Sequence, residues 1–109
     1  MNGPGREGLP SGRDLGEAIR GLRRERRMTI DGLAWAADMH PTYVSGIERG
    51  LRNPTWRKLC SLAGALRVPV VEVVQRAESA QRVRQGLERV LREEEALRPA
   101  STVRSRTTS

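Results

Sequence analysis

The chain has 109 residues, enough for one small domain with flanking segments and too few for two independent cores. Its 20 Lys and Arg against 13 Asp and Glu leave a net charge of +7, and Arg supplies every one of the 20 except Lys58; such a balance suits a polyanionic partner. Phe is absent and the aromatics are Trp35, Tyr43 and Trp56. The core must therefore be aliphatic, and no apolar run approaches the ~20 residues needed to span a membrane.

Residues 1–13, MNGPGREGLPSGR, are rich in Gly and Pro and are expected to form a disordered N-terminal arm, from which Arg6 and Arg13 can reach phosphates. The first helix is predicted over 14–26, with Asp14 near its positive end and Leu15, Ile19 and Leu22 as its buried face. The second is predicted over 29–37, capped by the Thr29 hydroxyl, with Leu33, Ala34 and Ala37 at helical spacing. The third spans 41–49. Pro41 fits its first position because the missing N–H costs nothing there. Val44 and Ile47 point inward, and Gly50 ends the helix in a left-handed conformation. Asn53-Pro54 turns the chain into a fourth helix over 55–66, Val68-Pro69 breaks it again, and a fifth begins at about Val70.

The domain so outlined occupies 14–76. In the segment 77–97, Ala80, Val83, Leu87, Val90 and Leu97 recur at alternating three- and four-residue steps, with Glu94 in the one polar slot. This predicts an amphipathic helix, either separate from the fifth or continuous with it, whose stripe needs cover. The cover is the bundle itself, a second copy or another protein. Gly86 weakens the helix locally. Residues 98–109 are expected to be a basic, disordered tail.

The break between the second and third helices is only Asp38-Met39-His40. Helices joined this tightly cross at a steep angle, which lets the second of the pair project and enter a DNA major groove. Leu15, Ile19-Arg20, Leu22-Arg23, Leu33-Ala34, Val44-Ser45, Ile47-Glu48-Arg49-Gly50, Asn53-Pro54, Leu59, Leu62-Ala63, Leu66 and Val68 carry a resemblance to a known family. Residues 15–74 resemble the Cro/repressor-type (XRE) helix-turn-helix domain, and the run HPTYVSGIERGLRNP is similar to members that control restriction–modification genes. The resemblance implies a compact five-helix bundle. The fold class is accordingly all-α, with an additional C-terminal amphipathic helix and disordered tails. It also implies sequence-specific transcriptional control with double-stranded DNA as partner; a homodimer paired through the 77–97 stripe is the expected working form.

Mapped onto this chain, the resemblance puts Pro41, Thr42, Tyr43, Ser45 and Gly46 against base edges. Thr42 is best suited, since its hydroxyl can bond a base and its methyl can pack on thymine. Tyr43 either meets the sugar–phosphate or packs against the second helix, and Ser45 either reaches DNA or bonds back to its own helix. Pro41 stands where members often carry Arg or Gln, and Gly46 offers no side chain, so direct readout is expected to be sparse, with either specificity leaning on DNA shape or a site low in sequence information. Ile30 replaces a Gln, leaving its backbone N–H as the phosphate donor. Arg49, Arg52 and Asn53 lie where the family loop passes over phosphate; Arg57 is a further phosphate candidate or a solvated residue. Arg27 and Asp38 stand in place of Gly and are expected at positive φ. Arg23 and Glu48 are implied to form an ion pair that orients the third helix.

Enzymatic readings fail on inventory. His40 and Cys60 are single, so neither a metal site of usual spacing nor an internal disulfide exists. Cys60 reads as an apolar filler, with redox sensing the lesser alternative. There is no Gly-rich phosphate loop, and Glu93-Glu94-Glu95 resembles a solvated helix end. No catalytic residue, metal or cofactor is expected. The N-terminus has no hydrophobic signal core, and a cytoplasmic, nucleoid-associated location is expected. Three functions stay open: a homodimeric regulator, an antitoxin whose 77–97 segment clasps a toxin, and a protein-interaction module of the same fold.

Overall fold

The computed structural model describes residues 8–98. The expected arm over 1–7 and tail over 99–109 lie outside the described residues. Five helices follow in order: α1 (Gly12–Glu25), α2 (Ile30–Ala36), α3 (Pro41–Glu48), α4 (Trp56–Leu66) and α5 (Val70–Leu97). The described residues are thus all-α.

Each start is set by local chemistry. Thr29, His40 and Thr55 cap α2, α3 and α4 by accepting a backbone N–H from Gly32, Thr42 and Lys58. α1 begins two residues earlier than the charge pattern suggests. Ser11 is its cap: the Ser11 hydroxyl accepts the Asp14 N–H at 3.2 Å while the Asp14 carboxylate accepts the Ser11 N–H at 2.8 Å. This reciprocal box was legible as Ser-x-x-Asp. It orders residues 11–13, which the sequence had assigned to the disordered arm.

The first four helices also end alike. Arg27, Asp38, Gly50 and Arg67 all have φ between 57° and 77°. The following N–H in each case bonds a carbonyl five residues back: Met28 to Arg23, Met39 to Ala34, Leu51 to Gly46 and Val68 to Ala63. This is the Schellman termination, which satisfies carbonyls the helix leaves open. Positive φ at Arg27 and Asp38 agrees with expectation; the same state at Arg67 carried no signal in the sequence. A non-Gly residue in this region costs roughly 1 kcal/mol, offset here by the carbonyls satisfied and the apolar residues turned inward.

The core is aliphatic: Ile19 and Leu22 from α1, Leu33, Ala34 and Ala37 from α2 and the turn after it, Val44 and Ile47 from α3, Leu62, Ala63 and Leu66 from α4, and Val68 and Val73. Leu15 is only half-buried, whereas Asp14, Gly16 and Ala18 join the buried face of α1. Gly16 marks a close approach. A Cβ there would fall on the backbone carbonyls of Ile47 and Glu48, so α1 lies against the C-terminal end of α3 with no room for a side chain.

α5 is one helix of 28 residues, about 42 Å long at 1.5 Å per residue. The segment 77–97 is therefore no separate helix but runs unbroken from Val70, through Gly86. Its first part belongs to the bundle: Val73, Ala77 and Gln81 are buried at four-residue steps. Two forks tie it to α1. Arg84 donates from Nε and Nη2 to both Asp14 oxygens at 2.9 Å, and Arg76 donates to Glu25 at 2.7 and 2.9 Å. Beyond Arg84 the helix projects, with Leu87, Val90, Leu91 and Leu97 exposed.

The glycines give a paired test of this packing. Gly16→Ala is expected to destabilise the fold by about 1–3 kcal/mol through overpacking. Gly64→Ala on α4, which meets nothing within 4 Å, is expected to stabilise it by about 0.5–1 kcal/mol through reduced backbone entropy. Urea denaturation followed by circular dichroism measures both.

Candidate nucleic-acid interface

The turn Ala37–His40 joins α2 to α3. His40 Nδ1 accepts the Thr42 N–H at 3.1 Å and Pro41 occupies the first helical position, so the start of α3 is fixed by a ring and a cap. Val44 and Ile47 are fully buried and anchor the helix in the core. What remains outward is Thr42, exposed, with Pro41, Tyr43 and Ser45 half-buried beside it.

Gly46 is placed differently from expectation. It is buried, because the loop after α3 folds back over it. Its carbonyl accepts the N–H groups of Leu51 and Arg52 at 2.8 and 3.3 Å, and a Cβ would stand 2.7 Å from the Arg52 Cγ. The Arg52 stem covers this position, so Gly46 serves as a seat for Arg52 and presents no surface to a base edge.

The orientation of α3 is held from behind. Arg23 Nε donates to Glu48 Oε2 at 2.6 Å and Nη2 to Oε1 at 3.0 Å, a bidentate fork. Its Nη1 donates to the Met28 carbonyl at 2.9 Å, which also pins the α1–α2 turn. Arg20 Nε adds a second cation 3.5 Å from Glu48 Oε1, a partner the sequence did not reveal. The Glu48 side chain is 1 % exposed. The Glu48 hydrogen bonds raise the Arg23 pKa above its ordinary value, so the guanidinium stays charged.

The cations of α1 and α5 are of two kinds: Arg13, Arg24, Arg82, Arg89 and Arg92 have no carboxylate within ion-pair distance among the described residues, and the others are paired. Arg20, Arg23, Arg76 and Arg84 on α1 and α5 all pair with carboxylates. Arg49, Arg52, Arg57 and Lys58, around the end of α3 and the start of α4, are exposed. Among the described residues no carboxylate lies within ion-pair distance of them. Arg57 and Lys58 stand in the first turn of α4, which has no acidic residue, where the helix dipole disfavours a cation. Asn53 is exposed in the same loop. Ile30 opens α2 beside the Thr29 cap, half-buried.

Lys58 was absent from the sequence-derived candidates, yet its Nζ lies 4.9 Å from the centroid of the Tyr43 ring. Trp35 and Trp56 are 86 % and 67 % exposed, large apolar surfaces that periodicity alone does not place. Cys60 is half-buried on α4. No group of three or more His, Cys, Asp or Glu that could hold a metal occurs among the described residues. No helix there is long and apolar enough to cross a membrane.

A short capped helix joined to its predecessor by a tight turn, braced from behind and followed by exposed cations, fits the architecture of a helix-turn-helix domain. Residues 14–75 match the family model described as a helix-turn-helix domain, and the chain belongs to that family, the Cro/repressor type of DNA-binding transcriptional regulators. An immunity repressor protein of Bacillus phage phi105 is 33 % identical over 82 residues, covering 75 % of this chain and 49 % of the repressor. The chain spans about half the length of two relatives it matches, that repressor among them. The clp gene regulator ClgR from Corynebacterium glutamicum superposes with a TM-score of 0.77 at 30 % identity, over 81 % of this chain and 94 % of its own. The restriction–modification controller C.Esp1396I, solved as a tetramer in complex with its natural 35 base-pair operator, superposes with a TM-score of 0.60 at 30 % identity, over 64 % and 92 %.

Two predictions come from this geometry. Glu48→Ala strands Arg23 and loosens α3; it is expected to cost about 3 kcal/mol of stability and to weaken DNA binding in the same variant, read by thermal melting and a binding titration. Asp14 supplies a pH test. The Arg84 hydrogen bonds, with help from Ser11 and against the opposing effect of burial, lower its carboxyl from 3.8 to about 2. A carboxyl depressed on folding stabilises the fold above its unfolded pKa and loses that contribution as pH falls through the folded one. The stability gap between wild type and Asp14→Asn is therefore expected to be full above about pH 4 and to close toward pH 2, measured by urea denaturation across that range.

Proposed function

We propose that the chain works as a homodimeric, sequence-specific transcriptional regulator that places α3 in the major groove of double-stranded DNA. The observation that carries this reading is the group of exposed cations without a carboxylate partner among the described residues, Arg49, Arg52, Arg57 and Lys58, gathered between the end of α3 and the first turn of α4. Uncompensated cations favour a partner whose phosphates release counterions on binding. Thr42 reads a base, with Tyr43 and Ser45 beside it and Pro41 packing on the groove wall. The Arg49, Arg52, Asn53 and Arg57 side chains and the Ile30 N–H set register on the backbone.

The exposed stripe on α5 pairs two copies. Val83 is 71 % exposed and Leu87 58 %, flanked by Ala80, Val90 and Leu97. Two α3 helices about 34 Å apart then read a near-palindrome. Repression follows where the bound dimer blocks polymerase, and the protein acts in the cytoplasm on the nucleoid. C.Esp1396I on its operator and the phage repressor support the same reading by likeness. The buried Gly46 and the donorless Pro41 favour a second reading, with few base contacts and a partner protein, such as a toxin, on the α5 stripe.

Fluorescence anisotropy tests it. The protein is titrated into a duplex from its own upstream region and into a scrambled duplex at ~0.15 M salt. A preference of about a thousandfold for the native duplex is expected, removed by Thr42→Ala with Ser45→Ala and reduced by Leu87→Glu. Equal, weak binding to both duplexes moves the weight to the partner protein.

A further inference from the structure

We propose that Lys58 is a positioning residue for Tyr43, and that the two contact the DNA backbone as one unit built from two helices. The inference rests on the DNA-binding reading above. Tyr43 is the third residue of α3 and Lys58 the third of α4. The Lys58 ammonium lies 4.9 Å from the Tyr43 ring centroid, within the ~6 Å range of cation–π attraction. The ring packs partly against the core, so it is a fixed platform. The ammonium has no carboxylate partner within ion-pair distance among the described residues.

Physical consequences follow for both residues. Lysine carries its charge on a flexible four-carbon stem with ~2 kcal/mol of rotamer entropy. Resting on the ring narrows that freedom before DNA arrives, so less is lost on binding. The ring face takes the charge electrostatically and consumes no single N–H, so the three ammonium donors remain available to phosphate oxygens. Reciprocally, the ammonium holds the Tyr43 ring beside Thr42, on the exposed side of α3. Lys58 also stands in the disfavoured first turn of α4, a placement that a phosphate offsets. The ligand chemistry is the phosphodiester backbone of duplex DNA. The role of Lys58 is to couple that backbone to the residue that follows Thr42.

The test is a double-mutant cycle read by anisotropy over a salt series, using the full chain with the native upstream and scrambled duplexes. Lys58→Gln is expected to lower affinity about three- to fivefold and to reduce the slope of log K against log salt by about one, with melting unchanged. Lys58→Arg is expected to retain both quantities. In a Tyr43→Phe background, which keeps the ring, Lys58→Gln is expected to cost the same. In a Tyr43→Leu background it is expected to cost less than about twofold. An unchanged slope and affinity in Lys58→Gln would overturn the proposal, as would an equal cost with and without the ring. If Tyr43→Leu fails to fold, Tyr43→Met, which fills the same apolar space without a ring face, takes its place in the cycle under the same criteria. Failure of the underlying reading is separate: wild type then prefers neither duplex, and the Lys58 comparison is made on the nonspecific complex by the same criteria. Binding to neither duplex overturns both.

Discussion

The buried carboxylate of Glu48 is the point on which the arrangement of this domain turns. It sits on the last residue of α3, 1 % exposed, and a charge placed there is tolerable only if it is fully paired. Arg23 supplies the fork and Arg20 a second cation. The pairing needs α1 and α3 to meet at close range, and Gly16 allows that by offering no Cβ to the Ile47 and Glu48 carbonyls. One contact therefore fixes the position of α3 relative to the bundle. Because Arg23 also donates to the Met28 carbonyl, the same group ties down the turn that leads into α2. A helix of eight residues is too short to be stable alone; it holds its place through this brace and through Val44 and Ile47 in the core.

Pairing then decides which cations are structural. On the α1–α5 side the guanidiniums of Arg76 and Arg84 are spent on Glu25 and Asp14, joining the first helix to the last. On the α3–α4 side the cations have no internal acid to satisfy them. Structural cations and those available to a ligand are thus mostly the same residue type, and pairing alone tells them apart. The net charge of +7 says only that an excess exists; pairing decides where it is felt.

α5 has two roles along one axis. Up to Arg84 it is a wall of the bundle, with Val73, Ala77 and Gln81 buried. Past that point it carries an apolar stripe into solvent. Asp14 marks the junction, since its carboxylate closes the capping box of α1 and receives the Arg84 fork. The direction of the projecting half is consequently set by the N-terminus of the first helix, far away in sequence.

The sequence by itself determined the helical type of the elements and the positions of most of their ends. Apolar spacing, Thr29, Pro41, Gly50 and Asn53-Pro54 are read within a turn or two of chain, and helix boundaries depend on hydrogen bonds of that range. Ser11-Gly12-Arg13-Asp14 belongs to the same class, a local box whose signal is masked by the Gly and Pro around it. The pairing of Arg23 with Glu48, 25 residues apart, came only through family resemblance, because nothing local links the two. Asp14 with Arg84, 70 residues apart, the covering of Gly46 by Arg52, and Lys58 over Tyr43 were decided by tertiary structure alone. Each depends on which helix faces meet, and an arginine or a glycine reads identically in sequence whether it is solvated, buried or clamped. The continuity of α5 through 76–77 was settled the same way, since a helix weakened by Gly86 extends where its neighbouring turns are held by α1.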